Sequence, residues 1–333
     1  MAFSIGGLCS TALRRSLACG AGACAPASQA LVFRRSLSGA DLSSRRPLTA
    51  EELGKYRTDG FVILRDVYNQ EEIDLLRETV LADQMLKENV MDMVDSSGKT
   101  SRLTLWRHDG DDTYGMFSRG RRMVDFAKAA TGSNDDSVYH FHTKVMLKEP
   151  HIGGRWEWHQ DFGYWYEVGC LQPERMLSVM VAIDKATVQN GCLDVLKGSN
   201  RLGRIHHGNT GNQVGADPWA VDKATKLMET VPCEMDAGDV LMLHCNTLHK
   251  SNANTSDHWR RCMIVAFNTK DNEPRPDTIA PLYFQMKPVA DSAIMELGMV
   301  GRASGTVEDF LQRDDNVNAF KLEDTELEYK DAK

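Results

Sequence analysis

The stretch WEWHQDFGYWY, residues 156–166, sets a histidine and an aspartate two positions apart among aromatic residues. In extended backbone, residues i and i+2 project from the same face. His159 and Asp161 therefore point one way and Gln160 the other. An imidazole and a carboxylate on one face can begin a metal site. The pair alone does not distinguish such a site from an ordinary half-buried strand. A third donor has to come from elsewhere in the chain.

Downstream lie His206, His207, His244, His249 and His258. The segment GDVLMLHCNTLHKSNANTSDHWRRCMIVAF separates them. His249 closes an apolar run, a polar turn-rich loop follows, and Arg260 opens the next apolar run. An antiparallel return predicts Arg260 beside His249. Two histidines and one carboxylate on one face of the metal are the ligands of non-haem Fe(II) oxygenases, which keep the opposite positions open. Arg presents a planar fork of donors that matches a carboxylate. Such a fork suits the distal carboxylate of 2-oxoglutarate. His244 reads as structural, and His206 with His207 as a solvated loop pair rather than part of a substrate mouth.

These residues need a scaffold. Thr49, with Glu51 and Glu52 behind it, predicts a capped helix broken at Asp59-Gly60, and FVILRDV reads as a strand. Asn69 caps a second helix with apolar spacing at Ile73, Leu75, Leu76, Val80 and Leu81, and RRMVDFAKAATG predicts another ended by Gly132. From about residue 137, β-type runs alternate with turn clusters: SVYHFHTKVML, MLSVMVAID, GCLDVL, ETVPCEM, GDVLMLH and RRCMIVAFNT. Many short strands argue a β sandwich or barrel with flanking helices. The C-terminal DSAIMELGMV and TVEDFLQR return to helical spacing, before an acidic tail.

The H-x-D, the distal histidine and the following arginine together resemble the phytanoyl-CoA dioxygenase family. So do DGFVILRDV, WHQDFGYW, NGCLDVLKGSN and GDVLMLHCNTLHKSNAN, over residues 49–270. The resemblance implies a mainly β fold, a double-stranded β-helix (jelly roll, cupin-like) core with flanking α-helices. It implies Fe(II), 2-oxoglutarate and O2 as the reacting set. His159, Asp161 and His249 would bind iron, and Arg260 and Ser251 the co-substrate. Trp165, Lys144 and His142 stand where the ectoine-hydroxylase branch contacts ligands; Lys144 and His142 differ from that branch in residue type. Lys197 and Asn200 depart from the family's PGSH segment, which leaves the iron ligands untouched but not the loop's role. Asp161 also argues against a halogenase, which lacks this carboxylate.

The first 46 residues hold six arginines and one acid, with many Ser and Ala. That composition predicts a mitochondrial (matrix) transit peptide, with a cytoplasmic protein as the alternative. Residues 47–290 are expected to form the dioxygenase domain, and 291–333 a helical extension and tail. A net charge of −8 without a basic stripe argues against nucleic acid, and no apolar run is long enough for a membrane span. The five cysteines beyond the presequence form no C-x-x-C pair and read as core thiols. The expected reaction is hydroxylation of an unactivated C–H in a small metabolite, with succinate and CO2 as co-products. Alternatives are an acyl-CoA 2-hydroxylase, a non-catalytic metal- or 2-oxoglutarate-binding protein, and a non-redox enzyme on the same barrel.

Overall fold

The computed structural model describes residues 47–210, 213–275, 284–302 and 310. The expected presequence, the TVEDFLQR helix and the acidic tail lie outside the described residues, apart from Phe310. The chain opens with α1 (Ala50–Asp59), β1 (Phe61–Leu64), α2 (Gln70–Ala82) and α3 (Gln84–Glu88). A hairpin of β2 (Met91–Val94) and β3 (Thr100–Trp106) follows, then α4 (Thr113–Arg119) and α5 (Arg121–Thr131). Next come β4 (Val138–Lys148), β5 (Trp156–His159), α6 (Asp161–Trp165), β6 (Leu177–Ala182) and β7 (Leu193–Leu196). A second hairpin, β8 (His207–Thr210) and β9 (Gln213–Ala216), leads into α7 (Pro218–Leu227). The core closes with β10 (Thr230–Cys233), β11 (Val240–His244), β12 (His249–Ser251) and β13 (Arg260–Thr269). The short β14 (Phe284–Gln285) and α8 (Ala293–Leu297) end the described chain.

Eight strands form one antiparallel sheet in the order β1-β11-β6-β13-β4-β3-β2, with β14 added beside β4. Four form a second sheet, β10-β7-β12-β5, and β8-β9 a separate hairpin. This is the expected jelly-roll arrangement, two sheets with helices outside, without a closed barrel. The large sheet follows period-2 patterning on both faces. Val179, Val181, Val240, Met242, Met263 and Val265 join the core under the helices. Met180, Leu241 and Ile264, their alternates, turn to the space between the sheets. Strands covered on both faces have no reason to alternate polar with apolar, so MLSVMVAID and GDVLMLH read as nearly continuous apolar runs.

The predicted caps are present. Thr49 and Asn69 each form a capping box, with Glu52 and Glu72. Gly132 ends α5 at φ 68°. Gly60 ends α1 at φ 83°, and a Cβ there would collide with the Thr247 hydroxyl. Its glycine thus serves both the left-handed cap and a close approach to the turn before His249. Residues 291–302 do not stand apart: Ile294 is fully buried in the main core, and Thr113 N–H donates to Val300 O at 2.9 Å.

Candidate metal and 2-oxoglutarate site

His159 ends β5 and His249 begins β12, and the two are directly paired across the antiparallel ladder. Their rings lie 4.1 Å apart, centroid to centroid. Each Nδ1 faces a backbone carbonyl two residues upstream, Glu157 O at 2.8 Å and Thr247 O at 2.9 Å. Those carbonyls accept an Nδ1–H, which leaves both Nε2 atoms as lone-pair donors. Burial holds both imidazoles below their ordinary range, and for His159 the neighbouring His249 adds to it. Burial thus favours the neutral form, the one that binds metal.

Asp161 arrives differently from expectation. The β5 ladder stops at His159, and Asp161 is the first residue of α6. Gln160 between them is extended, at φ −111° and ψ 134°, so the i, i+2 relation survives although no strand carries it. The Asp161 carboxylate lies 3.9 Å from His159 Nε2 and accepts the Ser178 hydroxyl at 2.5 Å. Burial pushes this carboxyl up. The Lys144 charge, the two imidazoles and the Ser178 bond outweigh burial and hold it well below the usual carboxylate range. The three ligand atoms lie within 4.8 Å of one another, the one such cluster among the described residues.

Arg260 is also placed by a route other than the expected one. β12 and β13 do not pair; they belong to opposite sheets. Arg260 instead sits opposite Lys148 of β4 and faces the same cavity as the three ligands. It is 2% exposed, and its Nε has no hydrogen-bond partner. An unpaired buried guanidinium N–H is costly unless a ligand meets it, so the cavity fits an anion at that end. Ser251 lines the cavity beside it.

Sequence reasoning passed over Lys148. Its ammonium is fully buried and donates to Ser251 Oγ at 2.7 Å and to Asn252 O. Burial, then the Arg260 charge, push it well below the ordinary lysine range. The available signal was a lysine four residues beyond Lys144, hence on the same face of an apolar strand. Ser178, which lines the cavity, was passed over as well, and Trp156 lines it too.

Of the other expected contacts, Lys144 lines the cavity. His142 and Trp165 lie outside its lining. Their rings meet edge to face at 5.8 Å, with Phe141 packed against both. The aromatics divide because β5 carries a bulge: His249 pairs with His159, but Ser251 pairs with Trp156. Trp156 thereby shares the cavity side with His159. Trp158 packs away under Lys250, Tyr164 donates to Val214 O, and Tyr166 is exposed beneath Arg204. His244 is structural, as expected, accepting the Asn246 N–H at 3.1 Å. His207 is not solvated: it is 1% exposed, while His206 is exposed. Burial pushes His207 down to about 4. In the KGSN loop, Ser199 Oγ accepts the Leu248 N–H at 2.8 Å, steadying the residue before His249. The five described cysteines are free and buried.

The chain is similar to known proteins at low identity. An L-proline trans-4-hydroxylase of Streptomyces griseoviridis is 25% identical over 236 residues, covering 66% of this chain and 86% of that protein. An ectoine dioxygenase of Bordetella bronchiseptica is 25% identical over 256 residues, covering 70% and 82%. Among solved structures, EctD from S. alaskensis with 2-oxoglutarate and 5-hydroxyectoine superposes with a TM-score of 0.57 at 21% identity, over 75% of this chain and 90% of that one. The carbocyclase SnoK of nogalamycin biosynthesis gives 0.53 at 19%, over 80% and 97%. With the family model for phytanoyl-CoA dioxygenase matching residues 56–262, more than half its length, this chain belongs to the phytanoyl-CoA dioxygenase family of Fe(II)- and 2-oxoglutarate-dependent oxygenases.

Proposed function

We propose that this enzyme hydroxylates an unactivated C–H of a small, polar, amino-acid-like metabolite. The observation that carries the reading is one cavity lined both by three convergent metal ligands and by Arg260, whose buried Nε has no partner. Bound Fe(II) supplies the O2 chemistry that couples decarboxylation of 2-oxoglutarate to substrate oxidation. The chain's own groups do the rest. His159, Asp161 and His249 would hold the metal. Arg260 and Ser251 would take the distal carboxylate of the co-substrate, and Lys144 adds a positive charge in the same cavity that acts on Asp161. Met180, Leu241, Leu243 and Ile264 keep the cavity wall apolar and exclude water. The named activities of the proline and ectoine relatives support the small-metabolite choice over an acyl-CoA.

The test is anaerobic loading with Fe(II), followed by O2-dependent succinate release from 2-oxoglutarate across a panel of free amino acids, their cyclic derivatives and acyl-CoA thioesters. Asp161→Ala serves as the control. Turnover only with acyl-CoA overturns the substrate class, and no 2-oxoglutarate binding at all overturns the reaction. The Arg-rich, acid-poor first 46 residues support a mitochondrial address. A reporter carrying them that stays in the cytosol removes that proposal.

A further inference from the structure

The break between His159 and Asp161 leaves a problem that the β ladder does not solve. Gln160 N–H lies beyond the last ladder pair and is buried, so it needs an acceptor. His207 provides one: its Nε2 is 2.9 Å from Gln160 N, and its Nδ1 is 2.8 Å from Ile205 O. Nδ1–H donates to that carbonyl, which fixes the tautomer and leaves Nε2 to accept.

The Gln160 side chain, fully buried on the face away from the ligands, is engaged at every polar position the fold offers. Nε2 donates to Asn246 O at 2.7 Å and to Gly203 O at 2.8 Å, and Oε1 accepts the Ile205 N–H at 2.8 Å. Asn246 lies in the turn that delivers His249. One side chain therefore ties together the segment bearing His159 and Asp161, the turn before His249 and the loop at 203–207. Gly163, two residues beyond Asp161, clears the space: a Cβ there would collide with the His207 ring.

We propose that Gln160 and His207 are positioning residues of the metal centre. Acting from behind the ligands, they set the angle between His159 and Asp161 and the distance of both from His249. The proposal rests on the three residues being a metal site. It makes no use of the co-substrate or of the substrate class. A merely structural role predicts lower thermal stability alone. A positioning role predicts a changed metal environment in folded protein.

The probe is Co(II), titrated anaerobically into the full chain and read by its visible ligand-field spectrum and its affinity. Gln160→Met, close in volume but without the hydrogen bonds, and His207→Leu are expected to weaken Co(II) binding by about 10- to 100-fold and to alter the spectrum, the usual effect of losing an outer-shell partner. His207→Gln, whose Oε1 can stand where Nε2 stood, is expected to restore most of the affinity. Gln213→Met is the control. Gln213 bonds to the backbone of Glu157 on β5 and of Arg155 just before it, but to nothing joining the ligand segments. It is expected to stay within about threefold of wild type, against that 10- to 100-fold loss. Unchanged affinity and spectrum in Gln160→Met and His207→Leu overturn the proposal. So does an equal loss in Gln213→Met, which would mean general loosening of the small sheet. If those variants do not fold, Gly163→Ala decides, since it keeps every hydrogen-bonding group but pushes the His207 ring off Gln160: unchanged Co(II) binding there is equally fatal. Wild type that binds no Co(II), or binds it equally well after Asp161→Ala, refutes the metal site itself rather than the positioning.

Discussion

The two sheets build the cavity in different ways. The eight-stranded sheet is regular beside the cavity, with the register shift of the β4–β13 pair lying away from it at Ala266/Phe267: on β6, Leu177, Val179 and Val181 face the helices while Ser178 and Met180 face the cavity. Its polar groups, Lys144, Ser178 and Arg260, are placed by strand register alone. The four-stranded sheet is irregular. Its strands have three or four residues, β5 is bulged opposite β12, and pairing stops at His159, one step before Asp161 is reached. Side-chain-to-backbone bonds do the placing there, from Thr247 to Gly60 O, from Ser199 to the Leu248 N–H, and through Gln160. The cationic groups, Lys144 and Arg260, thus ride on the stiff wall, and the metal ligands, with Ser251 beside them, on the wall that needs local bracing. Damage to the small sheet should appear as lost metal, and damage to the large one as lost co-substrate affinity.

The largest effect that follows is from Asp161→Ala. Fe(II)-dependent succinate formation should fall by more than about 100-fold, beyond what loss of an outer-shell partner costs, and metal binding should weaken with it. Arg260→Ala should leave Co(II) affinity near wild type while raising the 2-oxoglutarate Kd by about 30-fold or more, since an unpaired buried carboxylate loses 2 kcal/mol or above. Equal loss of metal and co-substrate in Arg260→Ala would erase the division between the walls. Ser178→Ala crosses that division, because a large-sheet hydroxyl braces a small-sheet ligand. Removing a hydrogen bond to a charged acceptor, about 1.5–3 kcal/mol, should weaken metal binding by about tenfold. An unaltered metal Kd in this variant would mean that Asp161 is held by α6 alone.

The same contrast decides what could be read from the residues. Strands such as RRCMIVAFNT and the caps at Thr49, Asn69 and Gly132 follow from hydrophobic period and local hydrogen bonding, and the structure has them. The sandwich-or-barrel class was legible for that reason, whereas the jelly roll and the His159, Asp161, His249 set came from the family resemblance of the motifs that carry them. The strand-to-helix break at Gln160 was not, because Gln160 is extended like the β5 residues before it, and the aromatic run DFGYW carries no helix signal of its own. The β5 bulge was equally silent, and it decides that Trp156 rather than Trp158 turns to the cavity. His207 was taken for a solvated residue because its acceptor role depends on a backbone N–H in another segment. The return of Arg260 beside His249 assumed a hairpin, whereas the connection crosses from one sheet to the other.

Lys148 offers the finest test of the stiff wall. Its ammonium is buried beside a second cation, and both influences lower its proton affinity in the folded state. Unfolded, it returns to about 10.4. Between the lowered value and that limit, the unfolded chain binds the extra proton, so stability must rise with pH across this window and flatten above it. Below the lowered value both states are charged and the cost is constant. Urea titration of the metal-free protein at stepped pH should show this rise, with a slope no steeper than about 1.4 kcal/mol per pH unit, the limit for one proton. Lys148→Met should remove that component of the slope, while losing the bonds to Ser251 and Asn252. 2-Oxoglutarate adds an anion beside Arg260 and should raise the proton affinity of Lys148, so the co-substrate should shift the window upward in wild type only. A slope unchanged by Lys148→Met would show that another group carries the proton, and that the wall tolerates two adjacent cations without discharging either.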